Sequence, residues 1–205
     1  MIKRIQEKGL IKSNRDFPQI IINSIPAPEL IYEKIEERDL IPYITGLKDL
    51  ERFGVDFIVI VCNTIHLFYD TLQREIKTPI LDLRNEVRKF LVNRNINSVL
   101  VIGTPATIKE RLYGFECIRI FEPDEDELKI LSECIFNFNN GIDKNIQIKM
   151  TKEICKKYLA LGAESIILGC TEFAVMLSQE DLPTINTVDI LVESTINKFY
   201  KQFNP

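Results

Sequence analysis

The chain has 205 residues, 45% of them hydrophobic and 27% charged, with a formal net charge of −4. That length supports one large α/β domain or two small lobes around a real core. Acidic and basic residues are interspersed, so no basic stripe marks a nucleic-acid partner, and no apolar run approaches the roughly 18–20 residues that cross a bilayer.

Met1 to Lys12 carries Ile2, Ile5, Leu10 and Ile11 among charges, with Gly9 as a stop, and predicts a short helix. It lacks the apolar segment of a secretory leader, so the cytoplasm is the expected compartment. The β-branched run Phe17 to Ser24, led by Pro18, predicts a strand, and Ile25-Pro26-Ala27-Pro28 an extended loop. Ile44, Leu47, Leu50 and Phe53 predict a helix over 43–53, closed by Gly54. Val55 to Val61 reads as a strand that ends on Cys62. A helix over 64–75, a strand over 78–83, a helix over 85–92 and a polar turn over 93–97 follow. The second half opens with a strand over 98–103. Thr104-Pro105-Ala106-Thr107 then leads into a helix reaching about Tyr113, with Pro105 suited to its first turn. Next come a strand over 117–121 and a helical stretch over 122–140, whose acidic start (Glu122 to Glu127) reads as solvated. A helix over 151–161 ends at Gly162, and a strand over 165–168 ends on Gly169-Cys170. A helix starts after Thr171, a last strand covers 183–188, and a final helix covers 189–203.

Strands alternating with helices imply parallel βαβ units, and ligands collect at the carboxyl ends of such strands. Val59-Ile60-Val61-Cys62-Asn63-Thr64 and Ile166-Ile167-Leu168-Gly169-Cys170-Thr171 each put a cysteine at such an end, 108 positions apart (170 minus 62). The halves read as a repeat. Segment 117–121 matches 19–23, and Pro183-Thr184-Ile185 matches Pro79-Ile80-Leu81. Nothing ahead of Met1 matches 98–103, so the first lobe is expected to lack its first strand. Whether the natural chain starts upstream or the lobe dispenses with the strand stays open. The expected division is 1–84 for the first lobe and 85–188 for the second, with the C-terminal helix 189–205 packing back on the first.

Five cysteines lie at 62, 117, 134, 155 and 170, without a C-x-x-C pair, and His66 is the single histidine. Neither a metal site nor a disulfide framework is expected. Cys117, Cys134 and Cys155 fit small apolar filler. Cys62 and Cys170 instead each open a polar strand-to-helix turn. Removing a proton from a carbon beside a carboxylate needs a base on one face, an acid on the other, and donors for the enolate-like charge. Two cysteines can supply base and acid, as thiolate and thiol. Both lie at helix starts, where free N–H groups are expected to depress a thiol pKa from about 8.5 and to bind a carboxylate. Asn63, Thr64 and Thr171 add donors, and Thr104 and Thr107 line a third strand-to-helix mouth. His66 and Glu172 are the ionisable neighbours, expected to orient a thiol or tune its proton. Plainer roles are a packing histidine, a helix cap at Thr104 to Thr107, and a Glu172 that only favours its helix start.

Cys62-Asn63-Thr64-x-His66, Leu168-Gly169-Cys170-Thr171-Glu172 and Gly103-Thr104-x-x-Thr107 resemble the motifs of the aspartate/glutamate racemase superfamily, in its aspartate racemase branch. The resemblance covers essentially the whole chain. It implies two similar flavodoxin-like α/β lobes related by a pseudo-twofold axis, with the active site between them. It implies racemisation without a cofactor, Cys62 and Cys170 as the acid/base pair, and Asn63, Thr64, Thr104 and Thr171 holding the substrate. A small acidic amino acid, aspartate first, and a homodimer are also implied. The chain departs from the family pattern in three places. It lacks the first strand with its Gly-rich turn. It has no arginine in Ile25-Pro26-Ala27-Pro28-Glu29, and Asn139 or Asn140 stands where a lysine is usual. Glutamate or hydantoin racemase and maleate cis–trans isomerase share the cysteine pair. A Cys62–His66 acyl-transfer nucleophile and a non-catalytic small-molecule binder are the readings of another class.

Overall fold

The computed structural model describes residues 1–26, 28 and 35–203. Helices α1 (Ile2–Glu7), α2 (Glu37–Arg52), α3 (Tyr69–Arg74) and α4 (Leu83–Asn93) make up the first half, with a 3-10 turn at Thr64–Phe68. The second half runs β1 (Ser98–Gly103), α5 (Pro105–Lys109), β2 (Arg119–Phe121), α6 (Glu125–Asn139), α7 (Lys144–Ala160), β3 (Ser165–Gly169), α8 (Thr171–Met176), β4 (Thr184–Asn186) and α9 (Thr187–Phe203).

Val99-Leu100-Val101-Ile102 is apolar on both faces of a strand, a pattern that demands cover on both sides. It forms β1, buried along its whole length, at an inner position of one parallel sheet of order β2-β1-β3-β4. Leu100 and Ile102 pack with Ile166 and Leu168 of β3 against α6, α7 and α8. Val99 and Val101, on the opposite face, pack with Ile167 against Val87 and Leu91 of α4 and Ile190 and Leu191 of α9. The alternation along β1 therefore builds two cores. The register pairs Gly103 with Gly169, so the loops after β1 and β3 leave the sheet side by side. Both positions need glycine. A Cβ on Gly169 would lie 2.8 Å from the Ile102 carbonyl oxygen, and one on Gly103 2.8 Å from Thr107 Cγ2.

The first half corrects the expectation of strands at 17–24, 55–61 and 78–83. These segments are extended but form no ladder among the described residues; a single parallel bridge joins Ile58 to Ile80. That bridge repeats the second half in detail. Ile58 N donates to the Pro79 carbonyl at 2.9 Å, as Ile166 N does to Pro183 at 2.9 Å. Among the described residues no strand is the counterpart of β1, which bonds both β2 and β3. In a parallel strand, successive residues turn their backbone groups to opposite sides. Ile58 faces Pro79 and Leu81, so Phe57, Val59 and Val61 face the other way, where no main-chain partner meets them among the described residues. Val61 and Ile22 are largely exposed.

Leu40 and Leu47 of α2 bury against Ile58, Ile65, Leu72 and Ile80 in a third core. α2 begins earlier than the apolar spacing predicts, because Glu36 and Asp39 close a capping box, with Glu36 N donating to Asp39 Oδ2 at 2.9 Å. α9 lies on α4, where Ser194 Oγ donates to Glu86 at 2.7 Å, and it also reaches the N-terminal segment through Lys8–Glu193 at 2.8 Å. The acidic start of α6 is not uniformly solvated. Glu127 is buried and accepts from Lys157 Nζ at 2.7 Å, the Tyr158 hydroxyl at 2.6 Å and Asp124 N at 3.1 Å. The loop expected over 25–28 lies partly outside the described residues, at Ala27. No described helix is long and apolar enough to cross a membrane.

Candidate active site

Cys62 and Asn63 end the extended segment of the first half, just before the 3-10 turn Thr64–Phe68. Cys170 ends β3 and caps α8. The side-by-side exits of β1 and β3 bring Thr104, Thr107 and Cys170 to one place, and the first half meets them there. Thr64 Oγ1 lies 3.1 Å from Thr104 Oγ1 and 3.0 Å from Thr107 Oγ1, and Thr104 donates to Thr107 at 3.1 Å. These three buried hydroxyls form a closed ring that ties the two halves together. Each can donate once and accept once within it. Thr104 also caps α5, accepting from Thr107 N at 3.2 Å.

The Cys170 thiol donates to Glu172 Oε2 at 2.7 Å. Thr171 Oγ1 donates to the same oxygen at 3.0 Å, and Asn139 Nδ2 donates to Oε1 at 3.1 Å. Glu172 therefore gathers three side-chain donors. Burial works against its charge, yet the donors together hold its carboxyl below the usual range.

Both thiols are shifted opposite to the sequence expectation. Burial pushes the Cys62 thiol up; the Ile65 and Thr64 backbone N–H groups pull it down but do not prevail, and the Glu172 charge adds to the rise. Burial pushes Cys170 well above its ordinary value, helped by the Glu172 carboxylate and by Cys62. The N–H effect read from the sequence is present at Cys62, but the turn behind it spans five residues and α8 spans six. Such short helices carry little dipole, and desolvation of a sulfur charge outweighs it.

His66 is buried but does not orient a thiol through a direct bond. Its Nε2 meets the Ile60 carbonyl at 3.3 Å, its Nδ1 has no partner among the described residues, and its ring stacks on Tyr69 at 6.5 Å. Burial pushes its pKa down and so disfavours the charged ring. It steadies the segment that carries Cys62 from two residues upstream.

Two residues of the site escaped sequence reading. Tyr43 of α2 has its phenol pushed up to about 12 by burial, with the Cys62 charge adding. Tyr113 donates its hydroxyl to Asn63 Oδ1. The spacing placed Tyr113 at a helix end, and only its position six residues beyond Thr107 in the site-lining loop offered a signal. Among the described residues no cluster of three metal-ligating side chains occurs.

The site thus sets two strand-end cysteines and the Glu172 carboxylate on an α/β fold with a parallel sheet. Residues 4–195 match the Asp/Glu/Hydantoin racemase family, and the chain belongs to that family. It is similar to the broad specificity amino-acid racemase RacX of Bacillus subtilis, with 25% identity over 193 residues, 90% of this chain and 83% of that one. An aspartate racemase homologue from Pyrococcus horikoshii matches with a TM-score of 0.71 and 26% identity, over 96% of this chain and 89% of that one. The Picrophilus torridus aspartate racemase has the same fold, with a TM-score of 0.76 at 21% identity over 96% and 88% of the two chains.

Proposed function

We propose that the chain racemises an amino acid without a cofactor, by passing protons between Cys62 and Cys170 across the two faces of the α-carbon. The observation that carries this is that the threonine ring joins the Cys62 loop, through Thr64, to the loop after β1, which leaves the sheet beside the Cys170 loop. In one direction Cys170 gives its proton to Glu172 and becomes a thiolate. The thiolate takes the α-proton, and Cys62 returns its own proton to the opposite face. Cys170 is then a thiol again and Cys62 the thiolate, and the proton held on Glu172 passes through solvent to Cys62 to restore the starting state. Asn63 Nδ2 is the side-chain donor left for the substrate carboxylate; the hydroxyls of Thr64, Thr104, Thr107 and Thr171 are engaged in the ring and with Glu172, and turn to the substrate only as those bonds open.

Aspartate, converted from the L to the D form, is the first substrate in this reading, in keeping with the aspartate racemases among the similar structures. A second reading, a racemase of wider scope, has its own support. Glu172 is paired with Asn139 rather than with a cation, and the Bacillus relative is described as broad in specificity. The test is incubation with L- or D-aspartate, and with a panel of neutral amino acids, in deuterated water. Optical rotation and α-proton exchange are followed for wild type, Cys62→Ser and Cys170→Ser. Each variant is expected to lose inversion while keeping exchange on one face. Full racemisation by both variants would overturn the mechanism. Turnover of the neutral panel without aspartate would favour the wider reading.

A further inference from the structure

The proton transfer proposed above leaves Tyr113 without a task, yet this side chain touches both cysteine loops. It is 1% exposed, and its hydroxyl donates to Asn63, the residue after Cys62. Its ring lies against Gly169, the residue before Cys170, where a Cβ would stand 3.6 Å from Cε2. The chain takes trouble to deliver it there. α5 stops at Lys109 instead of running on to Tyr113 as the sequence predicts. Arg111 N donates to Ile108 O at 2.9 Å and Leu112 N to Thr107 O at 3.0 Å, the paired bonds of a Schellman ending. Arg111 takes the left-handed conformation, φ +50°, that glycine usually supplies at this position. The turn drops Tyr113 into the core between the loops.

Asn63 is 2% exposed and has one acceptor oxygen and one donor nitrogen to place. The phenol occupies the oxygen. The nitrogen meets no acceptor among the described residues. It is therefore the end of the amide left for a substrate oxygen.

We propose that Tyr113 is a positioning residue: it holds the Asn63 amide with its nitrogen toward the substrate and sets the spacing of the Cys62 and Cys170 loops. The kinetic consequences rest on the racemase reading, whereas the link between Tyr113 and Asn63 does not. Tyr113→Phe keeps the ring and removes only the hydroxyl.

The expected result is a fall in kcat/KM of roughly ten- to hundredfold, the usual consequence of freeing a buried hydrogen-bonded group. The variant should melt cooperatively. Asn63→Ala should lose at least as much, and the double variant should be no slower than Asn63→Ala alone. Losses that multiply in the double variant would show that Tyr113 acts by packing alone and overturn the proposal. A readout independent of turnover is the side-chain amide spectrum of 15N-labelled protein. The Asn63 pair, identified by its disappearance in Asn63→Ala, should move in Tyr113→Phe while other amide pairs stay in place. An unmoved pair overturns the link. Failure of the wild type to exchange any amino-acid α-proton would remove the racemase reading and leave the spectrum to decide on Tyr113.

Discussion

Replacing Glu172 by glutamine separates two opposing effects of this carboxylate on Cys170. As a hydrogen-bond acceptor 2.7 Å from the sulfur, it gives the thiol proton somewhere to go. As a negative charge beside the sulfur, it penalises the thiolate, and it is the leading cause after burial of the raised Cys170 pKa. Two unit charges about 4 Å apart repel by roughly 4 kcal/mol at an effective dielectric of about 20, and by about 1 kcal/mol in bulk water. Glu172 is partly exposed, so an intermediate value of about 2 kcal/mol applies, or roughly thirtyfold in the thiolate population at a fixed pH. The prediction is that Glu172→Gln makes Cys170 ionise more readily at equilibrium while slowing racemisation, because the proton acceptor is gone. The assay is iodoacetamide labelling at pH 7.5, read by peptide mass spectrometry in a Cys62→Ser background. Exposed Cys117 serves as the internal reference, and Cys134 and Cys155, fully buried where Cys170 is 8% exposed, report any loosening of the fold. The ratio of Cys170 to Cys117 labelling should rise about thirtyfold on the Coulomb estimate above. An unchanged or lower ratio, with Cys134 and Cys155 still protected, would refute the electrostatic reasoning.

Glu127→Ala should destabilise the fold by about 2–3 kcal/mol, since it strands the Tyr158 hydroxyl and the Asp124 N–H and frees Lys157 only partly into water. A melting temperature lower by roughly 4–12 °C would agree, at about 2–4 °C per kcal/mol for a chain of this size; a shift under 1 °C would not. Alkaline pH should destabilise the protein through its buried thiols. Burial pushes Cys155 up to about 12, above the unfolded value. The folded chain keeps this proton while the unfolded chain loses it above about pH 8.5, so the stabilisation is complete below that pH and is lost as pH rises toward the folded value. Between about pH 8.5 and 10, wild type should lose roughly 2 kcal/mol more than Cys155→Ala in denaturant titrations, at about 1.36 kcal/mol per pH unit. Parallel pH slopes for the two proteins would contradict this.

The second half was legible almost element by element. Val99 to Ile102 and Ile166 to Leu168 are continuous apolar runs, and such runs in an α/β pattern have few ways to be covered. The first half was legible only as a pattern. Ile20 to Ile22 and Val55 to Val61 have the composition of strands, but a strand exists only where a neighbour takes its backbone bonds. The neighbour that would take them corresponds to β1, and it is not among the described elements. Glu127 misled for a related reason. A run of acids at a helix start looks solvated until a lysine and a tyrosine 30 and 31 residues further on close over one of them.

Cys62, Cys170 and the donors around them could be read from the sequence, because the repeat marks both strand ends and polar residues there have little else to do. The ring of Thr64, Thr104 and Thr107, the pairing of Glu172 with Cys170, and the reach of Tyr113 to Asn63 are contacts between side chains that the sequence does not order in space. Only the tertiary structure decided the protonation of the thiols as well. A helix start lowers a thiol pKa and burial raises it. The first is written in local sequence, while the second depends on how completely the rest of the chain excludes water.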